Sequence, residues 1–317
     1  MVRFPELTFD ERLGEFAEDV VAGLASRPRT LPCKYFYDAR GSDLFEAITE
    51  LPEYYPTRTE IGILRDHARD ICGELAPGSA LIEYGSGSSL KTEILLSAGD
   101  FAAYAPIDIS PSAIEGAARR LRARFPSLRV EPVVADFVGE VVLPKSLDGL
   151  PRAGFFPGST IGNFDPADAR ALLRRMARQL GPGAKLVIGV DLRKSADILV
   201  PAYDDAQGVT AAFNLNLLHR LENELGAEID VDGFAHRAIW NPRESRIEMH
   251  LEATRPQTIR VAGHDFRFAA GETIHTENSH KYGASDFDDL ARSAGWRPGE
   301  TFVDANGLFS VRVLEAR

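Results

Sequence analysis

An apolar run, Ser79-Ala80-Leu81-Ile82-Glu83-Tyr84, passes without a spacer into Gly85-Ser86-Gly87. A short run of this kind ending in glycine reads as a strand covered on both faces, the type found in parallel sheets whose crossovers are helices. The chain around it agrees: strand signals at Asp100–Ile109, Arg129–Ala135, Ala153–Ile161 and Lys185–Val190 alternate with helical stretches such as Ser112–Arg124. Asp165-Pro166 supplies a cap and a first-turn proline for a helix to Leu180, which Gly181-Pro182-Gly183 stops. Gly85 and Gly87 let the backbone turn tightly and approach a ligand, at the crossover where open α/β sheets bind ligands.

After Asp191 this rhythm breaks for roughly ninety residues. Ala212–Leu225 reads as a helix ended by Gly226, and Phe234–Trp240, Ser245–Ala253, Thr258–Val261 and His264–Ala269 as antiparallel strands with turns at Asn241-Pro242 and Ala262-Gly263. A helix over Ala284–Ala294 then returns to the first pattern, and Ala305-Asn306-Gly307 between two apolar runs signals a C-terminal hairpin. Upstream, Phe9–Thr59 reads as short helices around Lys34–Ser42, ended by the prolines of Leu51–Arg58. The expected division is a sheet domain of residues 61–195 and 281–317 and an α+β domain of residues 1–60 and 196–280.

Charge and composition exclude several classes. With 36 basic against 47 acidic residues the net charge is −11, which repels a polyanion, so no nucleic-acid partner is expected. A hydrophobic share of 44% places the chain among globular proteins rather than disordered ones. No apolar run approaches a membrane span and the start, Met1-Val2-Arg3-Phe4-Pro5-Glu6, lacks a secretory core, so a cytoplasmic protein with no membrane partner is expected. Two cysteines, Cys33 and Cys72, offer no C-x-x-C pair, and His275 and His280 stand five apart without a nearby acidic or cysteine partner set, so no metal is expected.

Strand Tyr104–Asp108 ends in a carboxylate placed to accept from ribose hydroxyls, and Ala135-Asp136-Phe137 ends a third strand with an acceptor for an adenine amino group and a ring to pack on it. A nicotinamide dinucleotide and S-adenosylmethionine compete for this site. The dinucleotide loop needs a third glycine to bring the helix start to the pyrophosphate, and Leu90 stands there. S-adenosylmethionine carries no phosphate, and its sulfonium is compatible with a strand end led by Glu83.

Five separated motifs then become specific: Tyr37-Asp38-Ala39-Arg40-Gly41-Ser42, Leu51-Pro52-Glu53-Tyr54-Tyr55-Pro56-Thr57-Arg58-Thr59-Glu60, Gly85-Ser86-Gly87-Ser88, Gly158-Ser159-Thr160-Ile161-Gly162-Asn163-Phe164 and Thr276-Glu277-Asn278-Ser279. Together, across essentially the whole chain, they resemble the L-histidine Nα-methyltransferases of ergothioneine biosynthesis. The resemblance implies a class I methyltransferase sheet of the Rossmann-like type with a C-terminal antiparallel hairpin, plus a second α+β substrate domain. It also implies transfer of three methyl groups from S-adenosylmethionine to the histidine α-amine, giving hercynine and S-adenosylhomocysteine, by a chain expected to act as a monomer on a small molecule. Gly85, Lys91, Asp108, Asp136 and Phe137 would hold the donor, Tyr37 and Asn163 would act on the amine and carboxylate, and Tyr203 would be a second carboxylate donor. Tyr54, Glu277 and Ser279 would read the imidazole, and histidine-specific members carry a methionine and a glutamate at the positions of Met249 and Glu277.

The residues support parts of this on their own. Asn163 follows the fourth strand at the ligand-binding edge, where it can donate to a carboxylate. Alternation puts Ile247, Met249 and Leu251 on one strand face and Glu248 with His250 on the other. If Thr276–Ser279 is extended, Glu277 and Ser279 share a face and can together bond two ring nitrogens, a pattern indole and phenol do not offer. A tryptophan or tyrosine Nα-methyltransferase of the same fold and a non-enzymatic cofactor- or partner-binding protein remain the alternatives.

Overall fold

The computed structural model describes residues 9–87 and 89–317; the start of the chain, Met1–Glu6, and Ser88 of the glycine motif lie outside the described residues. In chain order the elements are α1 (Phe9–Ala25), β1 (Arg29–Thr30), α2 (Ala39–Thr49), α3 (Tyr55–Gly73), β2 (Ser79–Tyr84), α4 (Leu90–Ala98), β3 (Phe101–Asp108), α5 (Pro111–Arg124), β4 (Arg129–Val130) and β5 (Val133–Val134). They continue with β6 (Arg152–Phe156), α6 (Pro166–Leu180), β7 (Lys185–Asp191), α7 (Ala196–Leu199), α8 (Val209–Leu225), β8 (Phe234–Asn241), β9 (Arg246–Ala253), β10 (Gln257–Val261), β11 (His264–Phe268), β12 (Thr273–His280), α9 (Ala284–Ser293), β13 (Trp296–Val303) and β14 (Phe309–Ala316). They fall into two compact units, residues 1–54 with 195–278 and residues 55–194 with 279–317.

The second unit is built on a sheet ordered β13-β14-β7-β6-β2-β3-β4, with β5 also pairing β3. The core strands are parallel and β14 is antiparallel to both β7 and β13, the expected class I methyltransferase sheet with its C-terminal hairpin. Both faces are covered. Ala80, Ile82 and Tyr84 of β2 pack in one core with Leu172, Leu173 and Met176 of α6, while Leu81 joins Ile63, Leu64 and Ile71 of α3 in the other. Each of these leucine, isoleucine and methionine side chains contributes roughly 1.5–3 kcal/mol by leaving water. Trp296 fills the first core and donates from Nε1 to the Leu173 carbonyl oxygen at 2.9 Å, so its one polar atom is satisfied. Asp304 closes the hairpin by accepting from the backbone N–H groups of Asn306, Leu308 and Phe309.

Four expectations change here. The strand expected over Arg129–Ala135 is two short pieces, because Pro132 between them has no N–H to donate to a ladder. The strand expected to Ile161 stops at Phe156; Pro157-Gly158 turns the chain, with Gly158 at φ +80°, into a 3-10 helix over Thr160–Asn163. Pro56 opens α3 instead of ending a helix, since a first-turn proline loses no intrahelical bond. Asp165 precedes α6 but makes no side-chain cap; its Oδ1 lies 3.4 Å from Nε2 of His280 instead.

The first unit carries a sheet ordered β1-β12-β9-β8 and a separate β10–β11 ribbon. β8 and β9 pair antiparallel, and β1 runs parallel to β12, a strand the sequence marked only from Thr276 onward. Asp38 caps α2, its Oδ1 accepting from the Gly41 N–H at 2.7 Å and from Asn216 Nδ2 at 2.8 Å. A Cβ at Gly41 would run into the Phe36 carbonyl oxygen, which is why glycine stands in the Asp38-Ala39-Arg40-Gly41 turn. No helix among the described residues is long and apolar enough to cross a membrane.

Candidate functional site

In the second unit, the residues expected to hold the donor gather at the carboxyl ends of β2 and β3. Gly85 sits at φ +72°, and a Cβ built there would stand 3.2 Å from the Phe137 ring, so backbone and ring are in close approach. Asp108 Oδ2 accepts from the Gly87 N–H at 2.9 Å, tying the end of β3 to the glycine loop, while Oδ1 accepts from Ser110. Asp136 Oδ1 accepts from the Val138 N–H at 2.8 Å, and the Phe137 ring packs edge-on against Phe156 and Phe164. Ser86 Oγ, inside the loop, is buried with no hydrogen-bond partner. An orphaned hydroxyl, a glycine cradle and two strand-end carboxylates fit an adenine nucleoside with ribose hydroxyls and no phosphate.

Lys91 is bound to Glu60, its Nζ 2.5 Å from Oε2, and both Glu60 oxygens accept from the Gly158 N–H. Glu60 is wholly buried and joins α3, α4 and the loop after β6, a role that its motif did not reveal. Its position three and four residues before Ile63 and Leu64, on the buried stripe of α3, was the available signal.

Glu83 corrects an expectation. It is buried beside Tyr104 and Thr92, both of which donate to its Oε2, the latter at 2.6 Å. Burial pushes its carboxyl up to about 8 against the pull of those hydrogen bonds, so the group is largely neutral at pH 7. The carboxyl is therefore not the ordinary ionised acid expected at this strand end.

Asn163 ends the 3-10 helix after β6 and is half-buried. Ser279 lies in a buried polar network: Lys281 Nζ donates to Ser279 Oγ at 2.8 Å and pairs with Asp191 at 2.7 Å, while Asp191 also accepts from Tyr55 and Lys194. Burial alone would raise the Asp191 carboxyl, but the two lysines hold it below its usual range. Burial lowers Lys194 to about 8. Lys281 was missed, although alternation from Ser279 places it on the same strand-end face.

In the first unit the three expected tyrosines fall into one aromatic chain. Tyr37 meets Phe45 at 5.7 Å between centroids, Phe45 meets Tyr54 at 6.3 Å, and Tyr54 meets Tyr203 at 6.2 Å. Phe45, on α2, joins them and carried no sequence signal. The Tyr203 carbonyl accepts from His236 Nε2 at 2.8 Å; His236 Nδ1 accepts from Asn214, whose Oδ1 accepts from Thr276. Since a carbonyl only accepts, this chain fixes the His236 tautomer and ties the Tyr203 backbone to β12.

Met249 is 2% exposed, on the buried face of β9 with Ile247 and Leu251, and its carbonyl accepts from Thr276 Oγ1. Glu277 is half-buried on β12. His275 also has neighbours that its sequence spacing does not show, because β12 and β9 are adjacent and bring the His250 ring to 4.7 Å from its own, with Glu248 beside them.

The chain matches the family described as "Histidine-specific methyltransferase, SAM-dependent" over residues 16–316. It is 42% identical over 315 residues to a histidine N-alpha-methyltransferase of Mycolicibacterium smegmatis, covering 96% of each chain. It is 42% identical to the histidine N-alpha-methyltransferase of Mycobacterium tuberculosis over 92% of each. To ergothioneine biosynthesis protein 1 of Neurospora crassa it is 30% identical, over 84% of this chain and 31% of the longer relative.

Proposed function

This chain belongs to the S-adenosylmethionine-dependent, histidine-specific methyltransferases, and from that premise we propose that it methylates the α-amine of free L-histidine three times, to hercynine. The observation that carries the reading is the pairing of a carboxylate and an anchored hydroxyl, Glu277 and Ser279, on one extended strand. Lys281 already donates to Ser279 Oγ, which sets that hydroxyl to donate its own proton onward. With Glu277 accepting, the pair matches the one N–H and one bare nitrogen of a neutral imidazole. Tyr54 would add a ring to this reading and Met249 an apolar side chain.

S-adenosylmethionine supplies an electrophilic methyl group. Gly85, Asp108, Asp136 and Phe137 are assigned to hold it, with Lys91 fixed by Glu60 at the edge of that site. Asn163 and Tyr203 would hold the substrate carboxylate and Tyr37 would approach the amine, so that the lone pair is aimed and catalysis is chiefly positioning. The substrate and its mono- and dimethyl forms would share these contacts, as repeated transfer requires. The account is tested by following S-adenosylhomocysteine with limiting L-histidine: three equivalents per histidine are expected, and one equivalent overturns trimethylation. The further proposal that this one reaction opens ergothioneine biosynthesis rests on the names of the relatives.

A further inference from the structure

Within the first unit, Glu248, His250 and His275 each offer one ligand atom, all within 4.8 Å of one another. The geometry points to a binding site for one divalent cation of the zinc class, held by these two imidazoles and this carboxylate. The proposal is independent of the methyltransferase reading and concerns a cluster to which that reading gives no role.

The local bonding favours it. His250 Nε2 lies 3.1 Å from Glu248 Oε2, close to the ligand spacing around a tetrahedral ion, so an ion bound there takes the place of the proton between them; Nδ1 of the same ring is buried with no hydrogen-bond partner. His275 Nε2 donates to the Glu277 carbonyl oxygen at 3.0 Å, which places its lone pair on Nδ1. Glu248 is oriented by Asn241 at 2.9 Å and Arg246 at 2.8 Å, both on Oε1, the way outer-shell donors orient a metal ligand. Two neutral imidazoles and one carboxylate suit zinc and its neighbours rather than magnesium. Tetrahedral zinc spaces its ligands by about 3.3 Å, so the side chains must close by rotation from the 4.8 Å limit. The Arg246 charge opposes the ion and sets a moderate affinity.

The test uses tag-free, chelator-treated full-length protein. Titration calorimetry with Zn²⁺ is expected to show one saturable ion per chain, with no response to Mg²⁺. His250→Ala and His275→Ala should each weaken it at least tenfold, whereas His219→Ala, at a half-buried i,i+3 pair outside the cluster, should leave it unchanged. Co²⁺ should give tetrahedral absorption bands in the unaltered protein, a readout free of any folding loss in the variants, and Zn²⁺ should raise its melting temperature. No saturable binding, or equal binding in both histidine variants with native circular dichroism, overturns the proposal.

Discussion

The Phe137 ring stands 3.2 Å from where a Cβ on Gly85 would lie, so a methyl group there would push the ring back by a few tenths of an ångström. Gly85 is also at φ +72°, where a side chain costs about 1–2 kcal/mol. Gly85→Ala is expected to raise the KM for S-adenosylmethionine about tenfold, the equivalent of ~1.4 kcal/mol, with the histidine KM little changed. Donor titrations at saturating histidine measure this, and an unaltered donor KM removes the loop from the site.

Glu277→Ala is expected to raise the KM for histidine by about one to two orders of magnitude, the scale of a lost charge-assisted hydrogen bond. The donor KM should stay within about twofold. Initial-rate measurements with each substrate varied decide it; an unchanged histidine KM takes Glu277 out of imidazole recognition.

Lys281→Met leaves Asp191 buried with Lys194 and Tyr55 but without one of its two cations. Removing one partner of a buried ion pair costs about 3–5 kcal/mol. Urea unfolding should show a loss near the lower bound, because Lys194 remains; a loss below about 1 kcal/mol contradicts the network's structural weight.

Glu83 gives a pH signature. Its carboxyl is raised from 4.5 in the unfolded chain to about 8 in the folded one, by burial. Folded protein therefore binds the extra proton between those values, and stability falls as pH rises through that window, by at most about 1.4 kcal/mol per unit. Glu83→Gln cannot titrate, so its stability relative to the unaltered protein should improve by about 3 kcal/mol between pH 5 and pH 7.5. Parallel stability curves would show that Glu83 is ionised throughout.

Much of this was legible beforehand for physical reasons. Ser79–Tyr84, Lys185–Val190 and the Asn306-Gly307 hairpin carry strong local signals, buried apolar runs and obligatory turn residues, and the structure forms strands or turns there. The first-unit strands were visible from period-two alternation at Ile247, Met249 and Leu251. What sequence spacing could not supply was contact across the chain. Glu60 meeting Lys91 and Gly158, His236 meeting Tyr203, and His275 meeting His250 all join residues far apart in sequence. The charge of Glu83 was misread for the same reason, since only packing shows that its carboxyl is removed from water. Pro56 and Pro132 were ambiguous because a proline either opens or interrupts an element according to which backbone N–H would have been used.

The central claim is selectivity for histidine, and one competition experiment addresses it. Purified protein is incubated with S-adenosylmethionine and an equimolar mixture of the proteinogenic amino acids, and products are read by mass spectrometry. The account predicts trimethylated histidine alone. Methylated tryptophan or tyrosine in its place would contradict the roles given to Met249 and Glu277, and an absence of any methylated amino acid would contradict the proposed reaction itself.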